Sequence, residues 1–391
     1  MQDFFIQVLR EHIQQQPTTP RRDVDWDGIA ELCRNHELGG VFYFQCKDFL
    51  PKEKLEAFER AYGTALFYFA NREKAVATAT EILTRTGIPS FSVKGLEVAR
   101  LYPVPGLRTM GDNDLIVPPG RLGEAVAALR ENGFREAHGS GEHTWSASYQ
   151  GLHFEIHDRL VGDSEYEQEQ MAFFNDYMPY VKDGRLNWDF HFLFLVIHLR
   201  KHFIGSGIGV RQFIDLAVAI RNCPELHWDW IEEKLREEKL ERFAHACYAL
   251  IEEWFGIVAP VGFERLDAET VAEVTEKVLK NGVFGFKNEE NRLNGMTNKF
   301  VLQSGSFRKR RIILMTKSLF PNYKIMQGYP GCSFLKGRPW LLPAAWIRRF
   351  LFIGQKKNYS VRAQTVSGIL QSDEMLEKKK DLLVRMGLRE P

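Results

Sequence analysis

At 391 residues the chain is long enough for more than one core, and 44% hydrophobic against 26% charged residues excludes general disorder. Its net charge of +1 conceals a division, because residues 301–391 hold 18 Lys and Arg against 5 Asp and Glu, leaving the first 300 residues acidic. Five scattered cysteines without a Cys-x-x-Cys pair exclude a disulfide framework and a zinc knuckle, and a reducing, cytoplasmic setting is expected.

Residues 1–87 read as helical. The opening MQDFFIQVLREHIQQQ is charged and amphipathic rather than continuously apolar, unlike a signal peptide. Asp25 or Asp27 is expected to cap a helix through Ile29, Leu32 and Cys33. Pro51 opens a long segment, 52–86, whose apolar positions (Leu55, Phe58, Ala61, Tyr62, Leu66, Phe69) recur at helical spacing. These helices are expected to serve as a scaffold preceding the core.

Residues 88–118, IPSFSVKGLEVARLYPVPGLRTMGDNDLIVP, change the pattern. An apolar alternating run stops at Lys94 and Gly95, a short amphipathic segment comes next, and Asp112 and Asp114 open a second apolar run, which predicts strand, glycine turn, helix and strand. Residues two apart on a strand share a face, so the two aspartates point the same way, close enough to share a cation. Beyond a turn at Pro118, a helix over 122–132 is expected to stop at Gly133. Strands over 134–137, 144–149 and 152–156 come after it, the last two joined by a tight turn at Gln150 and Gly151. In HFEIHDRL (153–160), His153, Glu155 and His157 share one face, and Glu155 supplies a third carboxylate if its strand neighbours that of Asp112 and Asp114. Asp158 is the alternative if the register slips. An all-oxygen set selects magnesium or manganese over zinc, and magnesium takes its remaining ligands from water and substrate phosphates. The expected ligands are therefore Asp112, Asp114 and Glu155, and the expected substrate carries phosphate.

The string Lys94-Gly95, Tyr102-Pro103, Arg108, Gly111-Asp112-x-Asp114 and Glu155-x-His157 resembles the bacterial group called uncharacterised nucleotidyltransferases, with a core like that of DNA polymerase beta. The resemblance implies that Asp112, Asp114 and Glu155 are catalytic and hold Mg or Mn while an NTP donates its nucleoside monophosphate. Lys94 and Gly95 stand where that superfamily usually has Gly-Ser, a turn whose amides meet phosphate. Arg108 is a further candidate for phosphate oxygens. His157 is expected to act either as an acceptor-side base or as a structural partner of the carboxylates, and His153 as structural.

From 186 to 300 the pattern is helical again. FHFLFLVIHLRKHF (190–203) is a strongly apolar helix, and the glycines of 205–209 lack the preceding strand of a dinucleotide fingerprint, so they read as a helix-helix turn. Arg211 and Asp215, four apart, are placed to form an intrahelical ion pair. The string His198-x-x-Lys201-His202 and Gly209-x-Arg211-x-x-x-Asp215 is similar to the same family's helical subdomain, which implies instead that Lys201 and Arg211 contact the triphosphate. Later helices near 228–255 and 267–280 read as structural. The basic region contains FRKRR (307–311) and WLLPAAWIRRFLFIG (340–354), suited either to a polyanion or anionic surface, or to a packed aromatic helix paired with the acidic body. An exposed amphipathic helix over 373–389 closes the chain.

The expected fold is α+β, a small mixed nucleotidyltransferase sheet flanked by helices, with a helical region at 1–87, the nucleotidyltransferase core at 88–184, a helical subdomain at 185–300 and a basic helical region at 301–391. No stretch is long and apolar enough to span a membrane. The expected activity is metal-dependent transfer of a nucleoside monophosphate to a small molecule, a protein or an RNA, releasing pyrophosphate. Two rivals stand beside it: a non-catalytic protein docking on a polyanion through residues 301–391, and a toxin-like transferase acting on tRNA.

Overall fold

The first four helices form an aromatic-rich layer. They are α1 (Gln2–Ile13), α2 (Trp26–His36), α3 (Gly39–Cys46) and the 34-residue α4 (Lys52–Arg85). The Asp25 side chain accepts the Gly28 N–H and caps α2, and Pro51 precedes α4, where its missing N–H costs nothing. Phe5 stacks on Phe42, and Gly39 lets α3 approach α4 so closely that a Cβ there would stand 2.8 Å from that of Ala61. The computed structural model describes residues 1–162, 169–205, 207–283, 297–298, 301–302, 316, 320–327, 331–351 and 373–390.

The sheet comes after α4. Its strands are β1 (Phe91–Ser92), β2 (Asp112–Ile116), β3 (Arg135–Glu136), β4 (Thr144–Tyr149) and β5 (Leu152–His157), in the order β1-β2-β5-β4-β3. Only the β2–β5 pair is parallel; the other pairs are antiparallel, which makes the sheet mixed, as its predicted strands require. Short α5 (Gly95–Ala99) connects β1 to a 3₁₀ turn at Pro105–Leu107 that leads into β2, and α6 (Leu122–Glu131) connects β2 to β3. One face of the sheet is covered: Leu115, Val117, Phe154 and Ile156 pack against Ala75, Ala79 and Leu83 of α4 and Ala125 and Leu129 of α6. Because strand side chains alternate, this core fixes the register and turns Asp112 and Asp114 of β2 and His153, Glu155 and His157 of β5 to the opposite face, while Asn113 stays on the covered side.

A short α7 (Met171–Asn175) and a hairpin of β6 (Val181–Lys182) and β7 (Arg185–Leu186) lead to α8 (Trp188–Ile204). Helices α9 (Val210–Asn222), α10 (Trp228–Glu237), α11 (Glu241–Phe255) and α12 (Ala268–Asn281) complete this part of the chain. The helical region near 228–255 is two helices, α10 and α11, parted where Lys239 takes a φ of 57°. Gly209 precedes α9, and the Cβ absent from it would stand 2.9 Å from the Gly282 carbonyl.

Residues 1–203 and 208–285 form one compact unit. The second comprises 204–207 and 286–391, and within it α13 (Tyr323–Gln327), α14 (Leu342–Leu351) and α15 (Asp373–Arg385) are described. Met326, Cys332, Leu335 and Ala345 make a small core there, pinned by the Trp346 indole donating to the Pro321 carbonyl at 2.8 Å. Trp340 is 70% exposed. The 307–311 basic run lies outside the described residues. No helix among the described residues is long and apolar enough to cross a membrane.

Candidate functional site

The parallel register of β2 and β5 sets Asp112 beside His153, Asp114 beside Glu155 and Ile116 beside His157. Asp114 and Glu155 are therefore direct neighbours on the face opposite the core, and Asp112 adjoins Asp114 on that face. The Lys94 ammonium lies 3.1 Å from Asp114 Oδ1. His157 Nε2 lies 3.3 Å from Asp114 Oδ1 and 3.4 Å from Glu155 Oε2, while its Nδ1 faces the Thr144 hydroxyl at 3.0 Å. The structure thus places the three carboxylates and Lys94 on one face of the sheet, with His157 beside two of the carboxylates, Asp114 and Glu155.

The electrostatics arise from this crowding. Burial alone would raise Asp114, but the Lys94 ammonium and the His157 ring hold it well below the usual carboxylate range. Asp112 is pushed the other way, chiefly by the negative charge of Asp114 and then by burial. Contact with His157 lowers Glu155. Burial opposes charge on His157, yet Asp114 and Glu155 raise it above the ordinary imidazole value. Lys94 is likewise resisted by burial and held charged by Asp114 and Asp112. Among the described residues Lys94 is the one permanent cation in ion-pair contact with these three carboxylates, while Arg72 and Arg108 act on Asp112 from farther away.

The backbone that presents Lys94 is unusual. Its φ of 54° and ψ of −118° are those of the first central position of a type II′ turn, normally glycine, and a side chain there carries a strain of about 1–3 kcal/mol. The Lys94 N–H donates to His191 Nε2 at 3.0 Å. That bond requires a neutral imidazole, and burial followed by the Lys94 charge pushes His191 down to about 3. The ammonium also lies 5.4 Å from the Phe194 ring centroid. At Gly95 an added Cβ would stand 3.3 Å from Met110 Sδ, tight enough to press on the segment entering β2. Arg72 of α4 steadies that segment, its Nη2 donating to the carbonyls of Met110 at 2.6 Å and Gly111 at 3.2 Å.

The remaining candidates are placed differently. Arg108 forks onto buried Asp215, Nε to Oδ1 at 2.8 Å and Nη2 to Oδ2 at 2.7 Å, and the Tyr102 hydroxyl donates to the same carboxylate at 2.6 Å. This pairing, not an intrahelical one with Arg211, takes up Asp215. Arg211 Nη1 donates to the Thr109 carbonyl at 2.8 Å and lies 3.8 Å from Glu37. Both arginines brace the 102–109 segment below β2. Lys201 is exposed near the end of α8. Asp158 is engaged by His143 Nδ1 at 2.9 Å and the Gly120 N–H, so the register leaves Glu155, not Asp158, beside Asp114. His153 lies 3.9 Å from Glu155. Thr144, His191 and Arg72 do not stand out in the sequence, because each acts through a partner 13 to 97 positions away and carries no motif of its own.

These residues fit a divalent cation. Ligand atoms of Asp114, Glu155 and His157 all lie within 4.8 Å of one another, and the excess carboxylate charge is of the right sign. Asp114 and Glu155 supply oxygen donors of the kind magnesium or manganese takes and His157 one nitrogen donor, while Asp112, on the same face, is not one of these three.

No curated protein and no solved structure matches the chain. The model of one protein family does, over residues 22–256, a span holding every element from α2 through α11. A match over more than half the chain, enclosing a mixed sheet with paired acids on β2 and a further acid on β5, shows that the chain belongs to the uncharacterised nucleotidyltransferase family.

Proposed function

We propose that the chain transfers a nucleoside monophosphate from a nucleoside triphosphate to an acceptor, with Mg or Mn held by Asp112, Asp114 and Glu155. The observation that carries this reading is the pairing of Asp114 with Glu155 across parallel strands, beside Asp112, with one ammonium against three carboxylates. When bound, the cation would supply bridging contacts to phosphate oxygens and offset charge on the departing pyrophosphate. The chain's own residues position and neutralise. Lys94 stands at the rim of the carboxylates, where its ammonium can shift from Asp114 to a phosphate oxygen, and Gly95 keeps the turn open to close approach. His157 orients the Asp114 and Glu155 carboxylates while Thr144 fixes its ring. Arg108 and Arg211 support the site by holding the chain that leads into β2; they are assigned here to positioning, with Lys201 left as the candidate triphosphate contact.

A second reading has one observation in its favour. The Lys94 ammonium already occupies Asp114 Oδ1, as it would in a binding protein that keeps the fold without chemistry. Calorimetric titration of ATP, GTP, CTP and UTP, each with and without magnesium, separates the two. Binding that requires the metal and is lost in the Asp112→Asn, Asp114→Asn double variant supports transfer. Nucleotide binding indifferent to both, or none at all, refutes the proposed site.

A further inference from the structure

A cavity of about 590 Å³ opens between α2, the first half of α4 and residues 108–110, in the same compact unit as the carboxylates. Its walls are mostly apolar: Ala61, Thr64, Tyr68 and Phe69 line it from α4 at helical spacing, and Phe58 from the same helix closes the base. The charged lining is one-sided. Arg34, Arg60, Arg72 and Arg108 contribute guanidinium groups, and Glu37 is the one acid. Arg108 is spent on Asp215 and Arg60 on Glu56, but Arg34 and Arg72 have no carboxylate within ion-pair distance among the described residues. Arg72 is 8% exposed and its Nη1 finds no hydrogen-bond partner, an expensive condition for a buried guanidinium. An apolar cavity with unpaired arginines matches a ligand that has an apolar body and a negative head.

Position links the cavity to the reaction. Thr109 and Met110, which line the cavity beside Arg72, run directly into Gly111 and Asp112, and Arg72 holds the Met110 and Gly111 carbonyls. We infer that this cavity binds the acceptor, a small amphipathic anion with an aromatic or aliphatic body whose carboxylate, sulfonate or phosphate meets Arg72 and Arg34. The occupancy of the cavity stands on its lining alone; the acceptor role rests on the nucleotidyl-transfer reading above.

The probe is anilinonaphthalene sulfonate, an aromatic anion that brightens in apolar sites, titrated into the full-length protein by fluorescence. Two substitutions at exposed positions leave the packed core untouched: Arg34→Ala removes a charge, and Thr64→Trp fills the space. The expected result is one dye per chain, weakened about tenfold by Arg34→Ala and lost with Thr64→Trp, with the neutral N-phenylnaphthylamine bound more weakly. Unchanged dye binding in both variants, or equal binding of the neutral compound, overturns the site. The dye is then titrated into protein saturated with ATP and magnesium. Simultaneous binding supports separate donor and acceptor sites, whereas mutual exclusion gives the cavity to the nucleotide and overturns the acceptor assignment. Failure of ATP to bind under any condition overturns the reaction itself and leaves the dye result standing.

Discussion

Replacing Lys94 tests the balance of charge and strain at the site. With 3.1 Å between its ammonium and Asp114 Oδ1, the gross attraction at an effective dielectric of about 20 is about 5 kcal/mol. Both side chains are well buried, 18% and 7% exposed, so little of this is screened, but removing the lysine also removes the cost of burying it. Lys94→Met should therefore destabilise the metal-free protein by about 3 kcal/mol, the lower end for a broken buried pair, because His157 stays beside Asp114. Lys94→Gly loses the same ammonium but relieves the left-handed backbone, and should recover about 1 kcal/mol of that loss. Urea unfolding followed by tryptophan fluorescence measures both. Without the lysine no permanent cation is in ion-pair contact with the three carboxylates among the described residues, so millimolar magnesium should stabilise either variant more than wild type. Lys94→Met as stable as wild type, Lys94→Gly less stable than Lys94→Met, or equal stabilisation of all three proteins by magnesium would each contradict this balance of charge and strain.

Further expectations come from other parts of the chain. Glu155→Gln should abolish metal-dependent nucleotide binding by calorimetry yet change stability by less than about 1 kcal/mol, because its side chain is one-third exposed. Arg108→Met strands the buried Asp215 carboxylate and should cost about 3–5 kcal/mol in urea unfolding, a loss that Asp215→Asn should largely relieve in the double variant. Gly63, the one glycine of α4, has open space where a Cβ would go, so Gly63→Ala should stabilise by about 0.5–1 kcal/mol. His12 is buried with neither ring nitrogen bonded, and burial pushes it down to about 4. A histidine lowered in the folded state takes up its proton first when unfolded, so stability falls as pH drops from about 6.5 towards 4 and levels off below. Between about pH 7.5 and 5 this one group should cost about 2 kcal/mol, and His12→Leu should remove that share of the slope in pH-dependent unfolding.

The part of the fold legible in the sequence is the part governed by local periodicity. Alternation marks β2, β4 and β5, and the tight turn at Gln150 and Gly151 sets β4 and β5 antiparallel, so a carboxylate at 155 can be aligned with those at 112 and 114 by parity alone. Parity cannot say which edges meet, and the parallel pairing of β2 with β5 comes from the core packed on their far face. Asp183 and Gly184, both at positive φ, turn the β6–β7 hairpin at the glycine where the core is expected to end, a turn whose strands are too short to show as alternation. Arg108 and Asp215 lie 107 residues apart, and nothing near either one announces the other. Spacing offers Arg211 to Asp215 instead, which the fold declines because Arg108 reaches the same carboxylate with two parallel hydrogen bonds.

Helix α4 joins two regions that a loop would have kept independent. Its first half walls the cavity and its second half, from Ala75 to Leu83, backs the sheet. At 34 residues it is about 51 Å long without a proline, and Arg72 clasps the entry to β2 at the point where the two halves meet. It therefore behaves as a beam with a clamp near its middle. The cavity wall and the support behind β2 and β5 are thus one continuous helix, with no joint of proline between them. Gly63 is the one place where the beam is weak in bending, and it lies in the cavity half.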